Sequence, residues 1–175
     1  RVLVIGGGPA GLEAARVAAL RGHQVTLYEE DEEIGGQFLL ASIAPTKEDF
    51  RNAINYFATE IKRAGVEVKL GQLVTAELVR KVKPDVVIVA TGAKPLIPSI
   101  LGVDGKNVVT AQDVLAGRVE TGNRVVVIGG GSTGLETADF LAHKGKDVVV
   151  VEKLEHFARD MGRVTRFALR RRLSG

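Results

Sequence analysis

The chain has 175 residues, 45% of them hydrophobic and 26% charged, with a net charge of +3. That is an ordinary globular composition, long enough for one domain or two very small ones. Cysteine is absent, which excludes disulfides, thiolate metal ligands, a redox-active C-x-x-C pair and a cysteine nucleophile within these residues. No apolar stretch approaches the length of a membrane span and there is no signal-peptide pattern, so a cytoplasmic location is the default expectation. His23, His143 and His156 have no ligand spacing and read as surface or helix-end residues. The basic cluster Arg166, Arg170, Arg171 and Arg172 lacks the interleaved aromatic residues of a nucleic-acid stacking platform and reads as a solvated helix face. Arg1 begins inside or beside a strand without an initiator Met, as expected of a piece of something longer.

In chain order, Val2 to Ile5 is a continuous β-branched and apolar run, as in a strand buried on both faces. Gly6, Gly8 and Gly11 then form G-x-G-x-x-G, and an apolar-periodic helix runs from about Pro9 to Arg21. A second strand, Val25 to Tyr28, ends on Glu29, with Glu30 opening an acidic turn. Strand, glycine turn, helix, strand and acid together are the full unit of a dinucleotide site. Gly6 permits the tight turn, Gly8 lets the backbone approach a pyrophosphate, and Gly11 lets helix and strand pack closely. The helix start, with Pro9 and Ala10, offers unpaired N–H groups and a positive dipole end to phosphate. Glu29 is placed to accept both hydroxyls of an adenosine ribose.

Ile34-Gly35-Gly36-Gln37 follows; its paired glycines would let the backbone pass a bound ligand, the other reading being an ordinary loop. Thr46-x-x-Asp49 resembles a capping box. The helix after it carries the apolar stripe Phe50, Ala53, Ile54, Phe57, Ala58, Ile61 and Ala64. Gly65 is its stop, with a strand expected over Val66 to Leu70. Thr75 caps a brief helix through Val82, and Pro84-Asp85 leads into an expected buried strand, Val86 to Ala90. Pro95 and Pro98 exclude regular structure just beyond Thr91-Gly92. Thr110-x-x-Asp113 caps another short helix, closed by Gly117, and Arg118 to Asn123 reads as a linker.

From Arg124 the opening is repeated. At an offset of 123, residues 1–29 and 124–152 share fifteen of twenty-nine positions, among them the loop glycines, Glu13/Glu136 and Glu29/Glu152. Gly129, Gly131 and Gly134 repeat the phosphate turn, Ser132 and Thr133 open the second helix, and Glu152 repeats the ribose-binding acid. Two such modules in one chain have a simple use: one holds a flavin nucleotide, the other a nicotinamide nucleotide, and hydride passes between them. The expected fold is α/β, with two Rossmann-like modules, residues 1–117 for FAD and 118–175 the start of a nested NAD module. Glu152 favours NADH over NADPH. A 2′-phosphate about 4 Å away would be repelled by about 4 kcal/mol at a dielectric of about 20, roughly a thousandfold in affinity. Lys153 and Arg159 would soften that penalty.

GGGPAGLEAA, IGGQ, the Ala44 to Lys47 stretch, PDVVIVATGAKP and VVVIGGGSTGLETADFLA together resemble the C-terminal nucleotide-binding region of NADH:flavin oxidoreductases, the group of 2,4-dienoyl-CoA reductase, enoate reductase and trimethylamine dehydrogenase. The glycine motifs are common to all pyridine nucleotide-disulfide oxidoreductase-like proteins; IGGQ with the ATGA-K-P segment narrows the choice. The resemblance covers essentially the whole chain. It implies a flavin pyrophosphate at Gly6, Gly8, Pro9, Ala10 and Gly11, ribose at Glu29, and adenine against the backbone of Val74. Gly36 and Gln37 would approach the flavin, and Thr91-Gly92 would line the crossing between modules. NADH phosphates would fall on Gly129, Gly131, Ser132, Thr133 and Gly134, with ribose at Glu152. The resemblance further implies an upstream barrel of the same polypeptide carrying FMN and a 4Fe-4S cluster, and it admits a homo-oligomer. In that family the chain returns after the nicotinamide module to complete the flavin domain, so an end at Gly175 implies two truncated cofactor sites. No residue here reads as catalytic in its own right, and none as a metal ligand. Two other readings are a non-catalytic module holding only ADP, as in trimethylamine dehydrogenase, and a reductase like the small subunit of glutamate synthase.

Overall fold

A computed structural model describes residues 1–173; the chain end at Gly175 lies outside them. Residues 1–42 and 48–94 form one compact unit, and residues 43–47 with those from 95 onward form a second. Residues 95–117 therefore belong to the unit that contains the second glycine loop.

The first unit is a four-stranded parallel sheet, built from β1 (Val2–Ile5), β2 (Val25–Tyr28), β3 (Glu67–Lys69) and β4 (Val86–Val89) in the order β3-β2-β1-β4. Val2 lies opposite Val25 on one side and Val86 on the other, and Thr26 lies opposite Glu67. Parallel pairing needs a long return between strands, which α1 (Pro9–Leu20) supplies between β1 and β2. After β2 come α2 (Gln37–Ala41) and α3 (Phe50–Arg63), then α4 (Ala76–Val82) before β4. The core gathers Val4, Leu12, Ala15, Val25, Leu27 and Ile61. Burial of each large side chain in that set contributes about 1.5–3 kcal/mol. The predicted stripe on α3 faces this core, with Ile61 buried and Phe57 and Ala64 packed beside it.

Three local expectations change. Thr46 does not cap α3: its φ is +69°, and Asp49 occupies the cap position without a side-chain bond to the helix. The strand expected to be buried, β4, lies at the edge of the sheet formed by the described residues, where Val86 and Val89 are exposed. IGGQ is not loop throughout, since Gln37 begins the short helix α2. The other caps form as expected, Thr75 Oγ1 accepting from the Leu78 N–H at 3.2 Å and Thr110 Oγ1 from that of Asp113 at 3.1 Å.

In the second unit, α5 (Ala111–Leu115) precedes β5 (Arg124–Ile128), α6 (Ser132–His143), β6 (Asp147–Val151) and α7 (Arg163–Leu173). β5 and β6 pair in parallel, Arg124 opposite Asp147. Leu135, Ala158 and Leu169 form its core, with Val150, Phe157 and Met161 against them. Arg172 is not merely solvated: its Nη2 and Nε donate to Oδ2 of buried Asp139 at 2.7 and 3.1 Å. Among the described residues no helix is long and apolar enough to cross a membrane.

Candidate functional site

The first glycine loop stands at the carboxyl end of β1, where an open parallel sheet presents its ligand crevice. Gly6 has φ +107°, and a Cβ there would lie 2.3 Å from the Ala90 carbonyl oxygen. A Cβ on Gly11 would lie 1.9 Å from the carbonyl oxygen of Gly6. Both obstacles are backbone, so both positions require glycine. Gly8 differs: it has φ −72°, and a Cβ there would meet nothing within 4 Å. Its glycine leaves open space over the start of α1, where Pro9 and Ala10 are the first two helical residues.

Glu29 holds this loop to the end of β2. It is 7% exposed; its Oε2 accepts the Gly7 N–H at 2.5 Å and its Oε1 the Asp31 N–H at 3.0 Å. The carboxylate expected to accept ribose hydroxyls is thus also a clamp on the turn, and each oxygen keeps a further lone pair. Glu30 is exposed in the bend that follows. The Gly35 N–H donates to the Gly7 carbonyl at 2.8 Å, laying the paired glycines beside the loop. A Cβ on Gly36 would lie 3.4 Å from the Gly8 Cα. Gln37 donates through Nε2 to the Ala93 carbonyl, next to Gly92, which has φ +70°. Thr91 follows β4 beside Gly6. The Gln72 N–H donates to the Glu29 carbonyl at 2.9 Å and brings the turn that carries half-buried Val74 to the end of β2. Gly6, Gly8, Glu29, Gly36, Gln37, Thr91 and Gly92 are therefore gathered at one end of the sheet.

The second loop repeats this construction. Gly129 has φ +105°, and a Cβ on Gly134 would lie 1.9 Å from the Gly129 carbonyl oxygen. Glu152 Oε2 accepts the Gly130 N–H at 2.7 Å and Oε1 the Leu154 N–H at 2.8 Å. Those two N–H groups hold the Glu152 carboxyl below the usual carboxylate range. The likeness continues past the sequence repeat. The Ala158 N–H donates to the Gly130 carbonyl at 2.7 Å, as that of Gly35 does to Gly7. Ala158 has φ +52° where the first copy has glycine.

At the mouth of the second loop the two copies diverge. Ser132, the first residue of α6, donates its N–H to both Asp160 oxygens at 3.0 Å and its hydroxyl to Oδ2 at 2.5 Å. The Ser132 hydroxyl bond also draws the Asp160 carboxyl below its usual range. Asp160 lies eight residues beyond Glu152, where the legible repeat ends, so the sequence alone does not single it out. Extending the offset of 123 pairs Asp160 with Gln37, the last residue of IGGQ.

Two glycine loops, each between parallel strands and each clamped by the acid ending the next strand, define a protein of dinucleotide-binding, Rossmann-like fold. The chain belongs to the pyridine nucleotide-disulphide oxidoreductase family, whose model matches residues 1–174. It is 47% identical over 171 residues to an NADH oxidase of Thermoanaerobacter brockii, covering 95% of this chain and 26% of that protein. A cinnamate reductase of Clostridium sporogenes is 42% identical over 152 residues, 87% of this chain and 23% of that one. A solved complex of 2-naphthoyl-CoA reductase superposes with a TM-score of 0.96 at 40% identity, covering 99% of this chain and 26% of that one. The chain thus spans about a quarter of these relatives. The resemblance to NADH:flavin oxidoreductases is borne out, and the matched part is their FAD- and NAD-binding region. Membership of this family implies FAD and NAD(P)H as cofactors.

Proposed function

We propose that this chain is the FAD- and NADH-binding part of a larger NADH-dependent flavin oxidoreductase resembling 2,4-dienoyl-CoA reductase. The observation that carries this reading is the open face over Gly8 between two positions, Gly6 and Gly11, that tolerate no side chain. FAD belongs at the first loop: pyrophosphate over Gly8, Pro9, Ala10 and Gly11, ribose at Glu29 beside Glu30, adenine near Val74, and flavin toward Gly36, Gln37, Thr91 and Gly92. NADH belongs at the second, on Gly129, Gly131, Ser132, Thr133 and Gly134, with Glu152 selecting against a 2′-phosphate. The bound pair supplies hydride transfer from nicotinamide to flavin. The residues of this chain bind and orient, and none acts as an acid or base. By cofactor, residues 1–117 belong to an incomplete FAD module and residues 118–175 to the start of a nested NAD module, a division distinct from the packing, which groups residues 95–117 with the second unit. An upstream barrel of the same polypeptide with FMN and a 4Fe-4S cluster would receive the electrons. A cytoplasmic location and a homo-oligomer fit this reading.

Mass spectrometry of ligand extracted from the intact protein tests the first assignment. FAD is expected; ADP alone would instead support a structural nucleotide module without turnover.

A further inference from the structure

The two loops are built alike, yet their anion seats differ. A Cβ on Gly8 would meet nothing within 4 Å, whereas one on Gly131 would meet the Asp160 carboxylate at 3.5–3.8 Å. Asp160 therefore lies over the glycine at which a pyrophosphate approaches the backbone. It takes the first N–H of α6 and the Ser132 hydroxyl, the donors a helix start offers to an anion. The first loop cannot be filled this way. Its corresponding residues are Pro9, which has neither N–H nor hydroxyl, and Gln37, which carries no charge and is turned to the Ala93 carbonyl.

We propose that Asp160 is an internal occupant of the second loop's anion seat, and that a dinucleotide pyrophosphate binds there only by displacing it from Ser132. The inference rests on assigning the second loop to the nicotinamide cofactor. Its physical basis is direct competition for one set of donors: the carboxylate satisfies them, and its charge repels an incoming phosphate. A ligand's apparent affinity falls by the fraction of molecules in which the seat is open. Displacing a carboxylate held at an exposed helix start therefore weakens binding by about twofold to fivefold. Asp160 thus sets a threshold: a doubly charged pyrophosphate that also engages Glu152 through its ribose clears it, and a lone monoanion does not. The first loop has no such threshold, so the two cofactors are held unequally, one tightly and one exchangeably.

The test is titration of the intact protein and its Asp160→Asn and Asp160→Ala variants with NADH, read by NADH fluorescence, and separately with inorganic pyrophosphate, read by calorimetry. Melting curves of each variant establish that it is folded; Asp160→Asn keeps the size of the side chain and one acceptor while removing the charge. The expected order of NADH affinity is Ala above Asn above wild type, with Ala about twofold to fivefold tighter than wild type. Equal NADH affinities in all three would overturn the role of Asp160 and leave the nicotinamide assignment standing. Weaker binding by folded variants would also overturn it, making Asp160 a ligand contact. If no form binds NADH but the variants bind pyrophosphate more tightly than wild type, the competition stands and the nicotinamide assignment fails. Variants that bind neither probe would overturn both.

Discussion

Replacing Gly8 and Gly11 separately by alanine should divide binding from stability within one loop. A Gly11→Ala methyl would sit 1.9 Å from the Gly6 carbonyl oxygen, where ordinary contact begins at 3.4 Å. The start of α1 and the turn must then part by about 1.5 Å, and neither is a flexible side chain. Overpacking of this kind costs typically about 1–3 kcal/mol, while the better helix propensity of alanine returns about 1 kcal/mol at most. Against a backbone obstacle the upper figure applies, and about 3 kcal/mol lowers the melting temperature by about 6–12 °C for a chain of this size. Gly8→Ala meets no atom within 4 Å and keeps an allowed φ of −72°. Its melting temperature without ligand should therefore stay within about 2 °C of wild type. Its methyl nevertheless enters the space through which phosphate reaches the N–H groups of α1. Loss of one charge-assisted hydrogen bond costs about 1.5–3 kcal/mol, so FAD affinity should fall roughly tenfold to a hundredfold. The assay is thermal denaturation of apoprotein together with FAD titration. A Gly8→Ala protein that is stable and binds FAD like wild type would refute the placement of the pyrophosphate over this glycine.

Further outcomes follow from the clamps and the ion pair. Glu29→Gln keeps one acceptor oxygen but turns an NH2 group toward one of the two backbone N–H groups. Denaturant titration should register a loss of about 1–3 kcal/mol for the buried donor left unpaired. Glu152, whose carboxyl is held low by the Leu154 and Gly130 N–H groups, contributes stability that is full above its unfolded pKa of about 4.3. That contribution is lost as pH falls through the lower folded value, so a Glu152→Gln protein should show a flatter acid limb than wild type in melting curves from pH 6 to pH 3. The same substitution, removing the charge that would repel a 2′-phosphate, should narrow the NADH-over-NADPH preference, measured as the ratio of the two dissociation constants. Arg172→Ala removes the guanidinium from the buried Asp139 carboxylate, leaving the His143 ring 3.5 Å from its other oxygen, and should cost about 2–3 kcal/mol, below the range for a fully buried pair because Arg172 is partly exposed.

The parallel sheets and both phosphate loops could be read from Val2–Ile5, the glycine spacings and the acids at 29 and 152, because each is enforced locally. Gly6 and Gly11 meet backbone atoms within a few residues or on the adjoining strand, constraints that leave a fixed spacing in the chain. The exposure of β4 among the described residues was not legible: VVIV is as apolar as VLVI, and its exposure depends on which strands pair beside it. Thr46 carries a capping signature at the right spacing, yet its left-handed backbone removes it from the cap. Asp160 lay beyond the end of the identity. Only three-dimensional register, through the matched N–H bonds of Gly35 and Ala158, reveals that the repeat persists and that its last position has changed from a neutral amide to an acid.

In the proposed function the first loop holds FAD and the second holds NADH. The direct measurement is anaerobic addition of NADH to the intact protein while its flavin absorbance is followed, in the wild type and in Gly131→Ala, whose added methyl enters the second loop's seat. A yellow protein that NADH bleaches, with the NADH concentration for half-bleaching raised in Gly131→Ala, is the predicted result. A colourless protein containing ADP alone, or bleaching that is unchanged in Gly131→Ala, would contradict it.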